Sequence, residues 1–129
     1  YTVKKDLDHV DACHCNMCRR WSGGVHFGVD LAPDELELEG TENIATYTSS
    51  EWAERAFCKI CGSHLYYRFT MEGPACGTYS LSAGSLDDMN GLPLKKEIYV
   101  DAKPDGFAFT GEHPRMTEAE FLTSIGVTP

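Results

Sequence analysis

Three stretches of this 129-residue chain place apolar side chains at every second position. In GVHFGVDL the apolar set is Val25, Phe27, Val29 and Leu31; in HLYYRF it is Leu65, Tyr67 and Phe69; in TYSLSA it is Tyr79, Leu81 and Ala83. Successive residues of a strand point to opposite faces, so a period of two builds strands with one buried face and does not suit a helix. Shorter runs at ELEL, NIATY, EIYV and GFAF add strand candidates, separated by Gly, Pro, Asp and Asn, which interrupt regular structure. One segment departs from the pattern. In TEAEFLTSIG, Thr117 and Glu120 have capping-box spacing, Phe121, Leu122 and Ile125 form an apolar stripe, and Gly126 ends it. The expectation is a mainly β fold, a small antiparallel sheet protein with a short C-terminal helix, and a single domain over residues 1–129 without repeats or linkers.

The chain is long enough to bury roughly two-thirds of its unfolded surface in one core. Its 42% hydrophobic and 11% aromatic content excludes a disordered or fibrous chain. Eleven Lys and Arg against 20 Asp and Glu leave a net charge of −9, which repels a nucleic-acid backbone, so no nucleic-acid partner is expected. No apolar run approaches the ~18 residues of a membrane helix, and YTVKKDLDHV lacks the apolar core of a secretory signal. A soluble, cytoplasmic protein without membrane contact is the expectation. The opening residues lack a methionine and read as mid-strand, so residues are expected to be missing upstream.

Six cysteines then decide the chemistry. Three disulfides would suit a secreted chain, but Cys13 and Cys15 are too close in sequence for easy bridging, and two C-x-x-C units in a cytosolic chain favour metal ligation. Zinc takes four ligands in a tetrahedron, and a C-x-x-C turn brings two sulfurs to one side of a bend. Cys15 and Cys18 with Cys58 and Cys61 would make one closed, four-cysteine site, with Gly62 easing the second turn and Cys13 left over. Alternatively Cys13, Cys15 and Cys18 hold one zinc with its fourth position open, and Cys58 and Cys61 belong elsewhere. A redox pair of Cys15 and Cys18 is a third arrangement. Spacing alone leaves these open. Cys76 reads as a buried core thiol. His14, between two cysteines, should point away from the metal, and His9, His26, His64 and His113 have no paired spacing, so no histidine is assigned as a ligand.

CHCNMCRRWSGG, YTSSEWAERAFCKICGSHLYYRF, SAGSLDD and KKEIYVDAKPDGF, in that order, together resemble the glutathione-dependent formaldehyde-activating enzyme family, whose domain also occurs in centromere protein V. The resemblance covers roughly residues 9 to 110. It implies a β-tent with two zinc sites, a catalytic-type zinc on Cys13, Cys15 and Cys18, and a structural zinc on Cys58 and Cys61. The structural site's partner cysteines normally stand in an N-terminal C-x-C strand, which is absent from this chain. It further implies a zinc-dependent carbon–sulfur lyase or synthase, with glutathione as co-substrate and formaldehyde or a similar small electrophile as the other reactant. An open thiolate zinc suits that reaction, since it would lower a thiol's pKa and needs no protein nucleophile or protein acid or base. Arg19, Arg20, Trp21 and Ser22, next to the last ligand, are the candidate substrate contacts. The alternative function is a non-enzymatic, zinc-stabilised binding module with a closed site. Oligomeric state is not legible in the sequence.

Overall fold

The computed structural model describes residues 1–127. In chain order it forms β1 (Thr2–Val3), β2 (Val10–Cys13), α1 (Asn16–Ser22), β3 (His26–Leu31), β4 (Leu36–Glu37), β5 (Ile44–Thr48), β6 (Ala53–Cys58), β7 (His64–Phe69), β8 (Tyr79–Ser82), β9 (Leu94–Ile98), β10 (Arg115–Met116) and α2 (Glu118–Ser124). The fold is mainly β, with antiparallel pairing and a short C-terminal helix. The chain divides into two compact units, residues 1–8 with 29–90, and residues 9–28 with those from 91 onward.

The first unit is built on the meander β5, β6, β7 and β8, each strand antiparallel to the next, with β1 pairing β4 beside it. Residues opposite one another share a face, so the register Ala56↔Tyr66↔Leu81 makes one buried row across three strands. Leu81 is fully enclosed, which contributes about 1.5–3 kcal/mol. The period of two in TYSLSA is met, with Leu81 and Ala83 both inside. In HLYYRF the burial is reversed: Tyr66 is the buried residue, and Leu65, Tyr67 and Phe69 are only half-buried. The cause is lateral. Tyr66 lies opposite the small Ala56 and the apolar Leu81, whereas Tyr67 lies opposite Arg55, whose guanidinium sits 5.1 Å from its ring centre. Cys76 also departs from expectation. It stands exposed in the turn between β7 and β8, where Gly73 and Gly77 take φ of 137° and 87° and carry the chain out of the sheet.

The second unit has β2 at its centre. β3 lies antiparallel on one side of it, β9 parallel on the other, and β10 parallel to β9. Parallel neighbours need a long connection, and here the chain from β2 to β9 runs through α1, β3 and residues 29–90 of the first unit. Helix α1 was not legible as periodicity, because seven residues are too few to show it. Its NMCRRWS sequence nonetheless contains no β-branched residue, and Gly23 closes it in the left-handed conformation (φ 78°), donating its N–H to the Arg19 carbonyl. Helix α2 forms as its capping box requires: Thr117 Oγ1 accepts from the Glu120 N–H at 3.2 Å, and Glu120 Oε1 accepts from the Thr117 N–H at 3.1 Å. Of its stripe, Phe121 and Leu122 are half-buried, and Ile125 is exposed. The run GFAF is not a strand. Its carbonyls are taken by side chains instead, Phe107 by Lys103 Nζ and Phe109 by an Arg115 guanidinium nitrogen at 2.9 Å.

Candidate metal centre and adjoining cavity

The three thiols of CHCNMC meet because a strand ends and a helix begins within six residues. Ladders on both sides fix the end of β2, where Cys13 pairs with His26 of β3 and with Ile98 of β9. Cys15 then takes the extended conformation of an N-cap, its sulfur accepting from the Cys18 N–H at 3.3 Å, and the first turn of α1 brings Cys18 back over it. All three Sγ atoms lie within 4.8 Å of one another, Cys15 and Cys18 buried and Cys13 half-buried. Hydrogen bonds with Cys15 and Cys18, then burial, then the charges the two neighbours would carry all push the Cys13 thiol pKa up. Three thiols in this space therefore resist ionising together, and a divalent cation is the partner that would reverse that resistance.

The donor set fits zinc. Thiolate sulfurs about 2.3 Å from a tetrahedral zinc stand about 3.8 Å apart, so three sulfurs already within 4.8 Å need only a small contraction. Among the described residues this is the one group of three or more His, Cys, Asp or Glu side chains so placed, and Cys58 and Cys61 stand outside it. Those two flank a tight turn after β6. Gly62, at φ 80°, donates to the Cys58 carbonyl, and the Cys58 N–H donates to the Ser63 carbonyl. The Ser63 hydroxyl, 3.1 Å from the Cys61 sulfur, leads the contacts that lower the Cys61 thiol pKa, followed by backbone and Cys58 hydrogen bonds.

A cavity of about 440 Å³ adjoins the helix and is lined by His14, Arg19, Arg20, Val25, Pro104 and Phe107 with the Gly23-Gly24 turn. Arg19 and Arg20, two of the four candidate substrate contacts, are thus in its wall. Trp21 and Ser22 are not. The Trp21 ring tilts against His26 with centroids 6.4 Å apart, and the Ser22 hydroxyl donates to the carbonyls of Cys18 and Gly24 at 2.7 and 2.9 Å, tying down the end of α1.

Behind the cavity lies a buried ionic network that spacing could not reveal, because its members are 83 residues apart. Glu97 of β9 is 2% exposed and sits opposite Ala12 of β2. Its Oε1 is 2.7 Å from His14 Nε2, and its Oε2 is 2.6 Å from His113 Nε2 and 3.0 Å from Arg115 Nε. Burial by itself would raise the Glu97 pKa. The hydrogen bonds from His113 and His14, with the charges of His14 and Arg115, outweigh it and hold the carboxyl below the ordinary glutamate value. The His14 ring, 2% exposed, is flanked by Phe107 and Phe109 at 6.0 and 5.9 Å between centroids. Its Nε2 faces Glu97. The one signal available in advance was the residue itself, an acid in the strand candidate EIYV, which must find partners if buried.

Fold and site together define a class: small, mainly β proteins with a three-thiol cluster able to hold a metal ion. The profile of the glutathione-dependent formaldehyde-activating enzyme family matches residues 1–102, and the chain belongs to that family. It is similar to an uncharacterized lyase of Schizosaccharomyces pombe, with 30% identity over 90% of this chain and 82% of the yeast protein. It is 33% and 26% identical to proteins of Podospora anserina and Halomonas elongata, both carrying the formaldehyde-activating name provisionally. Those alignments cover 59% and 72% of this chain but only 37% and 62% of the relatives' lengths. A crystal structure of a Rhodobacter sphaeroides protein shares the fold, with a TM-score of 0.52 at 20% identity over 88% of this chain and 85% of that one. No helix among the described residues is long and apolar enough to cross a membrane.

Proposed function

We propose that this chain is a zinc-dependent carbon–sulfur lyase or synthase that joins glutathione, or a related thiol, to formaldehyde or a similar small electrophile, giving S-hydroxymethylglutathione. One observation carries the reading: α1 is capped by Cys15, holds Cys18 of the cluster and, through Arg19 and Arg20, forms part of the cavity wall. Membership of the family and similarity to a yeast lyase support the reaction class. Cys13, Cys15 and Cys18 would hold the zinc. Bound there, zinc would favour the thiolate form of a thiol that took its fourth position. Arg19 and Arg20 supply the fixed cationic donors that suit the carboxylates of glutathione. Val25 and Phe107 give the cavity apolar walls against which the reactants displace water. In the adduct a sulfur–carbon bond forms, the carbonyl π pair moves onto oxygen, and the thiol proton ends on that oxygen, so no redox partner is required.

Cys58 and Cys61 would take a second, structural zinc together with two further ligands, their turn holding both sulfurs ready. The test is the rate of adduct formation from glutathione and ¹³C-formaldehyde, followed by NMR exchange spectroscopy with micromolar zinc-loaded protein. The rate should exceed that of the same mixture without protein. Equal rates would make the assigned reaction wrong.

A further inference from the structure

Two residues of the loop after β9, Pro104 and Phe107, line the cavity. Residues 104–110 form neither helix nor strand, so no ladder holds that part of the wall in place. Lys103 does so instead. Its Nζ donates to the Pro104 carbonyl at 2.7 Å and to the Phe107 carbonyl, and it lies 4.8 Å from the centre of the Phe107 ring. The two residues it grips are the same two that face the cavity. Lys103 is itself placed from behind. Tyr99, at φ 59°, is the one non-glycine residue among those described in the left-handed region, a conformation that persists only where its surroundings impose it. It turns the end of β9 into a 3-10 turn over Val100–Ala102, which the Lys103 N–H closes on the Val100 carbonyl at 3.1 Å. The Tyr99 ring packs on Phe121 of α2 with centroids 5.8 Å apart, and the Asp101 carboxylate accepts from the Glu118 N–H at 3.0 Å. Helix α2 thus fixes the chain up to Lys103, and beyond that point the ammonium takes over.

We propose that Lys103 is a positioning residue: it holds residues 104–107 as a preformed wall and sets the Phe107 ring, 38% exposed, where the bound thiol meets it. The identity of the ligand rests on the function proposed above, whereas the hold of Lys103 on the loop does not. Lys103 touches no substrate in this role and moves no proton. Its effect reaches the ligand through Phe107, because a wall ordered before binding spares the ligand the entropy of ordering it. Arg19 and Arg20 hold the charged ends of the substrate, and the stapled loop supplies the apolar surface between them and solvent.

Lys103→Met keeps the length of the side chain and removes the ammonium, and Lys103→Arg restores a cation that can donate to carbonyls and stack on a ring. In zinc-loaded wild type, ¹⁵N relaxation should give residues 105–107 backbone order parameters of about 0.85, falling below about 0.6 in Lys103→Met and recovering in Lys103→Arg. KM for glutathione should rise about tenfold in Lys103→Met, with kcat within about twofold of wild type. In a Phe107→Ala background the same replacement should add less than about twofold, because the contact through which it acts is gone. Order parameters unchanged in Lys103→Met overturn the proposal and leave the function standing. A wild-type KM in Lys103→Met, or a tenfold effect that persists in Phe107→Ala, overturns it equally. Should wild type fail to accelerate adduct formation, the function falls and the relaxation data alone decide: order lost with methionine and recovered with arginine sustains the staple, and order kept with methionine overturns it.

Discussion

Replacing Glu97 by alanine removes the centre of the buried network. The carboxylate meets three donors at 2.6 to 3.0 Å, two from imidazoles whose side chains are 0% and 5% exposed and one from Arg115, 40% exposed. Removing one partner of a buried ionic cluster costs about 3–5 kcal/mol, because the remaining groups lose their compensation. Arg115 can turn to water, which places the expected loss near the lower end, about 3 kcal/mol. At about 3–5 °C per kcal/mol for a chain of this size, the melting temperature should fall by about 10–15 °C. Glu97→Gln keeps the shape and one acceptor oxygen, so its loss should be about half as large. The pH dependence has a definite sign. The folded-state pKa lies below the ordinary 4.5, so the carboxylate's contribution is fully present above the unfolded value and disappears as pH falls through the folded one. The gap between wild type and Glu97→Gln should therefore be constant near neutrality and begin to narrow below about pH 4.5, closing as the pH falls through the lower folded-state pKa. Thermal unfolding followed by circular dichroism reads both effects. A Glu97→Ala melting temperature within about 2 °C of wild type at neutrality, or a gap to Glu97→Gln that widens as the pH falls below the ordinary glutamate range, would show that the network does not hold the fold as described.

Cys13→Ser should weaken zinc binding at the cluster by more than about a hundredfold, beyond what loss of an outer hydrogen-bond partner does, as measured by competition with a chromophoric chelator. Cys76→Ser, altering an exposed thiol, should leave zinc content alone; equal zinc in Cys13→Ser and wild type would return the choice to a closed site of Cys15, Cys18, Cys58 and Cys61. Arg19→Ala should raise KM for glutathione about tenfold with kcat within twofold, and an unchanged KM would remove this arginine from the substrate site. Gly23→Ala should cost about 1–2 kcal/mol in urea unfolding. Gly23 sits at φ 78° and an added Cβ meets nothing within 4 Å, so the backbone conformation is the whole penalty. A loss under a few tenths would mean that α1 can end another way.

The three-thiol cluster and the cavity wall meet at α1. Cys15 caps it, Cys18 lies in its first turn, and Arg19 and Arg20 follow, so part of the thiol cluster and part of the cavity wall share one seven-residue helix. Movement of α1 would therefore change both together. That arrangement is economical for a chain of 129 residues, since a site on rigid elements holds its geometry better than one assembled from loops.

Local signals by themselves determined a good deal. The period of two placed β3, β7 and β8, because alternation follows from strand geometry whatever the strand packs against. Thr117 and Glu120 determined the start of α2, because a capping box is satisfied within four residues. The C-x-C-x-x-C spacing allowed three sulfurs on one ion but left a four-cysteine site with Cys58 and Cys61 equally open; the turn from β2 into α1 is what brings the three together. What the tertiary structure decided was partnership. Tyr66 rather than its neighbours became the core residue of β7 because Ala56 and Leu81 lie across from it. GFAF is a loop in which Lys103 and Arg115 take the carbonyls of Phe107 and Phe109. Glu97, one acid among 20 acidic residues, became the anchor of His14 because the parallel ladder brings β9 beside β2. Spacing can show what a short segment is able to do, but a contact spanning 83 residues depends on long-range pairing, which no local pattern encodes.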